Sequence, residues 1–262
     1  MAYLRGAVDP ILDLRGVSRS FGGLEALSDV SFSIGRGTIH GVIGPNGAGK
    51  TTLFNIITAV IPPSSGSVAL EGSTITGLPP HAVARLGIAR TFQNVRLFGE
   101  QTVLENVTVG TYRHTRAGLI GGLVRTPGVL AEQRRAREEA IECLRYVGLA
   151  DLAERNVVGL PFGQQRLLEF ARALALRPVM LLLDEPAAGL NDHETESLAE
   201  LIGSLPSRGI TVLLVEHNMN LIMSVADRIV VLDHGTKLAD GTPAEIRADP
   251  RVISAYLGDE SP

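Results

Sequence analysis

Lysine is close to absent from this chain: of its 24 lysine and arginine residues, only Lys50 and Lys237 are lysine. A sequence that otherwise uses arginine has a compact ammonium where a planar guanidinium fork would not serve. Cysteine is rarer still, and the single Cys143 excludes an internal disulfide and a cysteine zinc cluster. Its place in a helical pattern makes it ordinary packing. Positive charge is not in excess, since a formal net charge of −4 gives no basic field, so no nucleic-acid partner is expected. No stretch approaches the ~18 apolar residues needed to span a bilayer. Met1 to Pro10 carries Arg5 and Asp9 but no apolar core, and is not read as a secretory signal. The expected location is cytoplasmic, with any membrane role exerted through partners.

What is present begins with 262 residues, 45% of them hydrophobic, enough for a sizeable interior. The apolar run Ile39 to Ile43 leads into Gly44-Pro45-Asn46-Gly47-Ala48-Gly49-Lys50-Thr51-Thr52, and Leu53 to Ile57 follows. That order of strand, glycine loop and helix is the context of a phosphate-binding loop. The glycines let backbone N–H groups turn toward phosphate oxygens, and the positive end of the helix dipole points the same way. Lys50 would reach the outer phosphates. The Thr51 hydroxyl would hold Mg²⁺, which takes few protein ligands and keeps several waters.

Upstream, Ile11 to Val17 and Ala26 to Ile34 alternate apolar with polar residues, as half-buried antiparallel strands do. Between them Phe21 stands beside Gly22 and Gly23, placed either in the core or as a stacking platform for a nucleotide base. Downstream come a turn at 61–66, a strand at 67–72, a short helix from Pro79 to Leu86, and a strand from Ile88 to Gln93. Gln93, at that strand's end, is either a capped loop residue or a contact to Mg²⁺ or its water.

From Thr102 to Gly159 strand alternation vanishes. Glu132 to Val147 reads as a helix with Ala136, Ala140, Ile141, Leu144 and Val147 on one face, and with Arg134 and Glu138, and Arg135 and Glu139, at four-residue spacing on its solvated side. Arg116 to Pro127 reads as a mobile or partner-facing loop. A helical subdomain at about 101–159 is thus expected inside an α/β core formed by about 1–100 and 160–262.

The core resumes at Leu160-Pro161-Phe162-Gly163-Gln164-Gln165, opening a helix that runs through Leu176. Val179 to Leu183 is a continuous apolar run, the mark of a parallel strand buried on both faces, and it ends in Asp184-Glu185-Pro186. Carboxylates at the C-terminal end of such a strand sit where α/β sheets bind ligands. Asp184 would orient Mg²⁺ and its waters, and Glu185 would act as general base toward the attacking water. A helix from Asp192 to Leu205 precedes a second buried strand, Ile210 to Val215, which runs into Glu216 and His217 toward the same edge as Asp184. A terminal hairpin at 228–240, short helices at 243–247 and 252–257, and a frayed tail at 259–262 complete the reading.

With Gly44 to Thr51, Gln93, Leu160 to Gln164, Met180 to Glu185 and His217 in this order, the chain resembles the ATP-binding subunit of an ABC transporter. The resemblance implies an α/β fold with a P-loop NTPase core of mixed and parallel sheet, an antiparallel β subdomain and an inserted α-helical subdomain. It implies ATP and Mg²⁺ as cofactors, Phe21 as the adenine-stacking aromatic, Gln93 as the glutamine that couples Mg²⁺ to the membrane partner, and Glu185 as the base. His217 is then the switch contact to the γ-phosphate, and Ala188 to Asn191 is the D-loop. Pro161, Phe162, Gly163 and Gln164 occupy the signature segment that meets the γ-phosphate held by an opposite subunit. Two departures stand out: Pro161 and Phe162 replace a serine and a glycine of the signature, and Asn191 replaces an aspartate. Weaker ATP binding or hydrolysis is expected in the half-site using this segment.

Within that family, Phe21 to Leu24, Arg90 to Phe98, Gly163 to Arg166, Pro186 to Asn191 and Ile253 to Gly258 look closest to the larger ATPase subunit of branched-chain amino acid importers. That subgroup implies a second, related ATPase subunit or a second copy of this chain, two permease subunits, an extracytoplasmic substrate-binding protein, and a place at the cytoplasmic face of the inner membrane. Competing classes fit less well. Neither lysine lies in the Asn-Lys-x-Asp pattern of a guanine reader, and the sustained heptads of a chromosome-maintenance ATPase are missing. A small-molecule kinase would lack the signature segment and His217. A soluble ABC-type regulator of a protein partner or the ribosome is the alternative, although such proteins commonly carry two nucleotide domains.

Overall fold

The computed structural model describes residues 10–91, 96–111 and 127–257. In chain order its strands are β1 (Leu12–Phe21), β2 (Leu24–Ile34), β3 (Ile39–Ile43), β4 (Ser65–Leu70), β5 (Ser73–Thr74), β6 (Ile88–Arg90), β7 (Met180–Asp184), β8 (Thr211–Val215), β9 (Arg228–Asp233) and β10 (Thr236–Gly241). The helices are α1 (Lys50–Ile57), α2 (Pro80–Leu86), α3 (Val103–Thr111), α4 (Pro127–Tyr146), α5 (Phe162–Ala175), α6 (Asp192–Ser204), α7 (Met219–Val225), α8 (Pro243–Ala248) and α9 (Pro250–Leu257). They gather into two compact units, Met1–Leu86 with Ile202–Pro262, and Gly87–Leu201.

The first unit contains an antiparallel sheet in the order β2-β1-β4-β5. Its alternating sequence is what pairs it: Leu12 lies opposite both Ile34 and Leu70, Leu14 opposite Phe32, and all five are buried. β1 extends as far as Phe21, which pairs with Leu24, so only Gly22 and Gly23 form the turn. Beside this lies a parallel arrangement in which β3 runs between β8 and β9, with β10 antiparallel on β9. Every residue of β3 and β8 is buried. Continuous apolar runs of this kind, covered on both faces, are the parallel-sheet signal. α8 starts in a capping box, with the Thr242 and Glu245 side chains each accepting the other's backbone N–H.

In the second unit β6 and β7 are parallel, with Ile88 beside Met180 and Arg90 beside Leu182. Helices α3, α4 and α5 pack on one another, and Leu104, Val107, Ala136, Ala140, Leu144 and Leu168 on them are buried. Gly110 permits the α3 to α5 approach, since a Cβ there would lie 2.5 Å from the Arg172 carbonyl oxygen. Among the described residues no helix is long and apolar enough to cross a membrane.

Several details differ from the sequence expectation. β6 ends at Arg90, and Gln93 lies outside the described residues. Most of the expected 116–127 loop also lies outside them, and Pro127 opens α4 five residues before the expected start. Val147 falls just beyond that helix, though it is buried. The four-residue pairs do not form either: the Glu139 carboxylate is taken by Arg177 from outside the helix, a long-range partner that spacing on one helix cannot reveal. The 259–262 tail is outside the described residues.

Candidate functional site

In the first unit the buried strand β3 delivers the chain to Gly44. This glycine has φ 153, and a Cβ there would stand 2.1 Å from the Leu232 carbonyl oxygen, so only glycine fits. Gly47 and Gly49 follow with φ 80 and 99, and Gly49 forms the start of α1. Gly49 is pressed against β2: a Cβ would meet the Ala26 carbonyl oxygen at 2.6 Å. The β9–β10 turn completes the lacing, with Ser28 N–H donating to the Gly235 carbonyl at 2.8 Å and Gly235 N–H donating to that of Ala48 at 3.3 Å. The loop is therefore held from two sides before any ligand arrives.

Lys50 is 7% exposed, and its Nζ donates to the carbonyls of Gly44 at 2.5 Å and Pro45 at 2.8 Å. The ammonium is thus folded back over the loop's own backbone, at the place where phosphate oxygens would compete for it. Asn46 and Thr51 are exposed, Ala48 is buried, and Pro45 and Thr52 are half-buried. The first turn of α1 contains no acidic residue to occupy its free N–H groups.

Phe21 stands at the hairpin tip, 43% exposed, with the Arg19 guanidinium 4.6 Å from its ring centroid. Arg19 is itself tethered, its Nη1 donating to the Pro62 carbonyl at 2.9 Å. One face of the ring is thereby supported by a cation. At the end of β8, Glu216 is 4% exposed, and its Oε2 accepts the N–H groups of His217 at 2.9 Å and Asn218 at 3.0 Å. Asn218 caps α7 by accepting the Leu221 N–H at 3.1 Å. This bonded elbow presents His217 to solvent.

In the second unit β7 ends at Asp184, 6% exposed, whose Oδ2 receives a 2.7 Å hydrogen bond from Arg90 Nη2. Glu185 follows in the left-handed region at φ 48, unusual for a residue with a side chain and a sharp turn away from the strand. Arg90 escaped the sequence reading. The available signal was an arginine ending the short apolar run Ile88-Ala89, since a buried guanidinium needs an acidic partner.

Pro161 is the N-cap of α5 and makes no side-chain hydrogen bond to the first turn. Gly163 is buried, and a Cβ on it would fall 2.2 Å from Glu194 Oε1. Phe162 is 45% exposed, lies against Gly189, whose added Cβ would meet its ring at 2.8 Å, and carries the Arg166 guanidinium 5.2 Å from its centroid. Asn191 begins α6 through a capping box: its Oδ1 accepts the Glu194 N–H at 2.9 Å, and Glu194 Oε2 accepts its own N–H at 3.0 Å. Asparagine caps a helix as well as aspartate does, which accounts for the substitution locally.

A glycine cradle stitched to its neighbours, with an ammonium laid across it, places the chain among the phosphate-loop nucleoside triphosphatases. The pattern of the ABC transporter family matches residues 27–188, and that of the branched-chain amino acid ATP-binding cassette transporters matches 236–261. The chain is 49% identical to the high-affinity branched-chain amino acid transport ATP-binding protein BraF of Pseudomonas aeruginosa, over 95% of this chain and 98% of BraF. It is 45% identical to the corresponding protein LivG of Escherichia coli K12, with the same coverage. Among solved structures, a nucleotide-free ATP-binding cassette from an ABC transporter superposes with a TM-score of 0.82 at 31% identity, covering 94% of this chain and 98% of that one. A dimeric post-hydrolysis cassette bound to ADP and phosphate superposes with a TM-score of 0.75 at 27% identity, covering 88% and 98%.

The chain belongs to the ABC transporter family, as one of its ATP-binding, ATP-hydrolysing subunits.

Proposed function

We propose that this subunit powers the uptake of branched-chain amino acids. Its similarity to BraF and LivG over nearly the whole of each chain supports that reading. It would work at the cytoplasmic face of the inner membrane, paired with a related ATPase subunit or a second copy. Two permease subunits would carry the solute received from an extracytoplasmic binding protein. The segment at about 101–159 would be the inserted helical subdomain, with about 1–100 and 160–262 as the ATP-binding core.

In this reading Gly44 to Thr52 cradle the triphosphate, and Lys50 exchanges its carbonyl partners for outer phosphate oxygens. Phe21 stacks on adenine. The donor set suits Mg²⁺, since the Thr51 hydroxyl and the Asp184 carboxylate are hard oxygens, and Asp184 Oδ1 accepts no hydrogen bond from a described residue. Gln93 would complete that set. Bound there, Mg²⁺ would neutralise charge on the transferred phosphoryl group. Glu185 accepts the proton of the attacking water, and His217 donates to the γ-phosphate from its solvent-facing elbow. Pro161, Phe162, Gly163 and Gln164 present the uncapped first turn of α5 to the γ-phosphate bound by the opposite subunit.

The test is transport itself: the chain, its partner ATPase and its permeases are reconstituted in vesicles with the binding protein, and ATP-dependent entry of labelled leucine, isoleucine and valine is followed. Uptake that stops when this chain is left out is the expected result. An assembled complex that hydrolyses ATP on addition of another solute's binding protein, and ignores these three, would overturn the assignment.

A further inference from the structure

Among the described residues, Arg90 and Asp184 form the most deeply buried ion pair with an oxygen-to-nitrogen distance under 3 Å, both side chains being 9% exposed. The strand register produces it. Arg90 lies beside Leu182 in the parallel pair, and Asp184 is two residues further along on the same face, within reach of a long side chain. Thr91 continues the pairing beyond β6. Its N–H donates to the Leu182 carbonyl at 3.0 Å, and its Oγ1 accepts the Asp184 N–H at 3.5 Å, so the backbone on both sides of the pair is fixed. A buried ion pair is seldom more stabilising than apolar residues of the same volume, because each charge is stripped of water. Holding the fold together is therefore a poor reason for one at this strand end. The arrangement leaves the two carboxylate oxygens unlike: Oδ2 is tied to Arg90, and Oδ1 accepts no hydrogen bond from a described residue.

We infer that Arg90 is a positioning residue for the metal: it ties down one oxygen of Asp184 and so presents the other to a Mg²⁺-bound water. The inference rests on the proposed metal role of Asp184. A carboxylate free to rotate in a small polar site offers both oxygens in turn. One anchored by a planar guanidinium offers a single oxygen in a single direction, and a bound metal with strict octahedral demands benefits from that order. Partners that orient a metal-side carboxylate commonly change metal affinity by about 10- to 100-fold when removed.

The experiment measures affinity for a fluorescent ATP analogue with Mg²⁺ and with EDTA, on the full chain and without turnover as a readout. In Arg90→Met the gain in affinity that Mg²⁺ confers should fall by about tenfold, while affinity in EDTA stays within about twofold of the parent, because the phosphate cradle is untouched. Arg90→Lys restores charge without the fork and should recover only part of the gain. Direct Mn²⁺ titration in the presence of ADP, followed by electron paramagnetic resonance, should show the same order. A full Mg²⁺ gain in Arg90→Met, with Asp184→Asn abolishing it, overturns the role of Arg90 and leaves that of Asp184 standing. A full gain in Asp184→Asn removes both. Where Arg90→Met does not yield folded protein by circular dichroism, Arg90→Lys decides alone: an undiminished gain there overturns the inference.

Discussion

Acid should loosen the strand that feeds the phosphate loop, through a residue with no part in the chemistry. His40 sits in β3, 3% exposed, between the chain segments that bring Asp227, Arg228 and Asp240 close to it. Thr38 Oγ1 donates to the Gly35 carbonyl at 2.7 Å, so at 3.2 Å it must accept from His40 Nδ1–H, which fixes the neutral tautomer. Burial, the largest cause, pulls the pKa of this imidazole down to about 4 from an ordinary 6.5, against the raising effect of Asp240. Folding thus favours the uncharged ring. As pH falls below 6.5 the unfolded chain takes up a proton that the folded chain refuses, and stability declines until about pH 4, where both forms bind it.

The full difference approaches about 3 kcal/mol, and about 2 kcal/mol of it should be lost between pH 7.5 and pH 5. Asp13, whose carboxyl is held below its ordinary 3.8 chiefly by the hydrogen bond from Ser33, affects stability only at lower pH, so the two windows separate. Urea unfolding at half-unit steps, on the parent and on His40→Asn, which keeps a donor for Thr38, measures the effect. The variant should show a profile flatter by about 2 kcal/mol over that interval. Parallel profiles for the two proteins would refute the reasoning.

The other expectations concern the nucleotide site. Lys50→Ala should weaken ATP binding by about 10- to 100-fold, the loss of a charge-assisted hydrogen bond, and an unchanged calorimetric titration would remove Lys50 from the site. Glu185→Gln should bind ATP normally yet hydrolyse it about 10²- to 10⁴-fold more slowly, accumulating an ATP-bound dimer on size exclusion; parental turnover rejects it as the base. Phe21→Ala should cost about 1 kcal/mol of nucleotide affinity, and equal affinity would return the ring to a structural role. Asn191→Ala removes the cap of α6 and should lower stability by about 1 kcal/mol, read as a shift in the urea midpoint.

The parts that were legible in the sequence are those where local chemistry and fold agree. Gly44 to Thr51 announces itself because only glycine tolerates the backbone angles and close approaches found there. β1, β2 and β7 announce themselves because alternation and continuous apolarity are direct consequences of being covered on one face or two. In the sequence α3 reads only as part of a general helical region, since Val103, Thr108 and Thr111 are β-branched and the segment is short; its helical period becomes plain only in the burial of Val103, Leu104 and Val107. The pairings that reach far along the chain, Arg90 with Asp184 and Glu139 with Arg177, left no periodic trace. His40 looked like any residue of an apolar strand, because what distinguishes it is a hydroxyl two residues away and the depth of its burial.

The stitching of β2 to Gly49 makes that strand a ruler. Phe21 is paired with Leu24, and three residues further on Leu27 lies against the phosphate loop, a span of about 10 Å in extended chain. The distance between the Phe21 ring and the phosphate loop is therefore set by the residues between Leu24 and Leu27, and deleting one would shorten it by about 3.4 Å. In the proposed reading the Phe21 ring stacks on the base without reading hydrogen bonds, and a ring used that way would care little which purine rests on it. Such a gauge would admit GTP nearly as readily as ATP and refuse a nucleotide whose ribose-phosphate link has been lengthened.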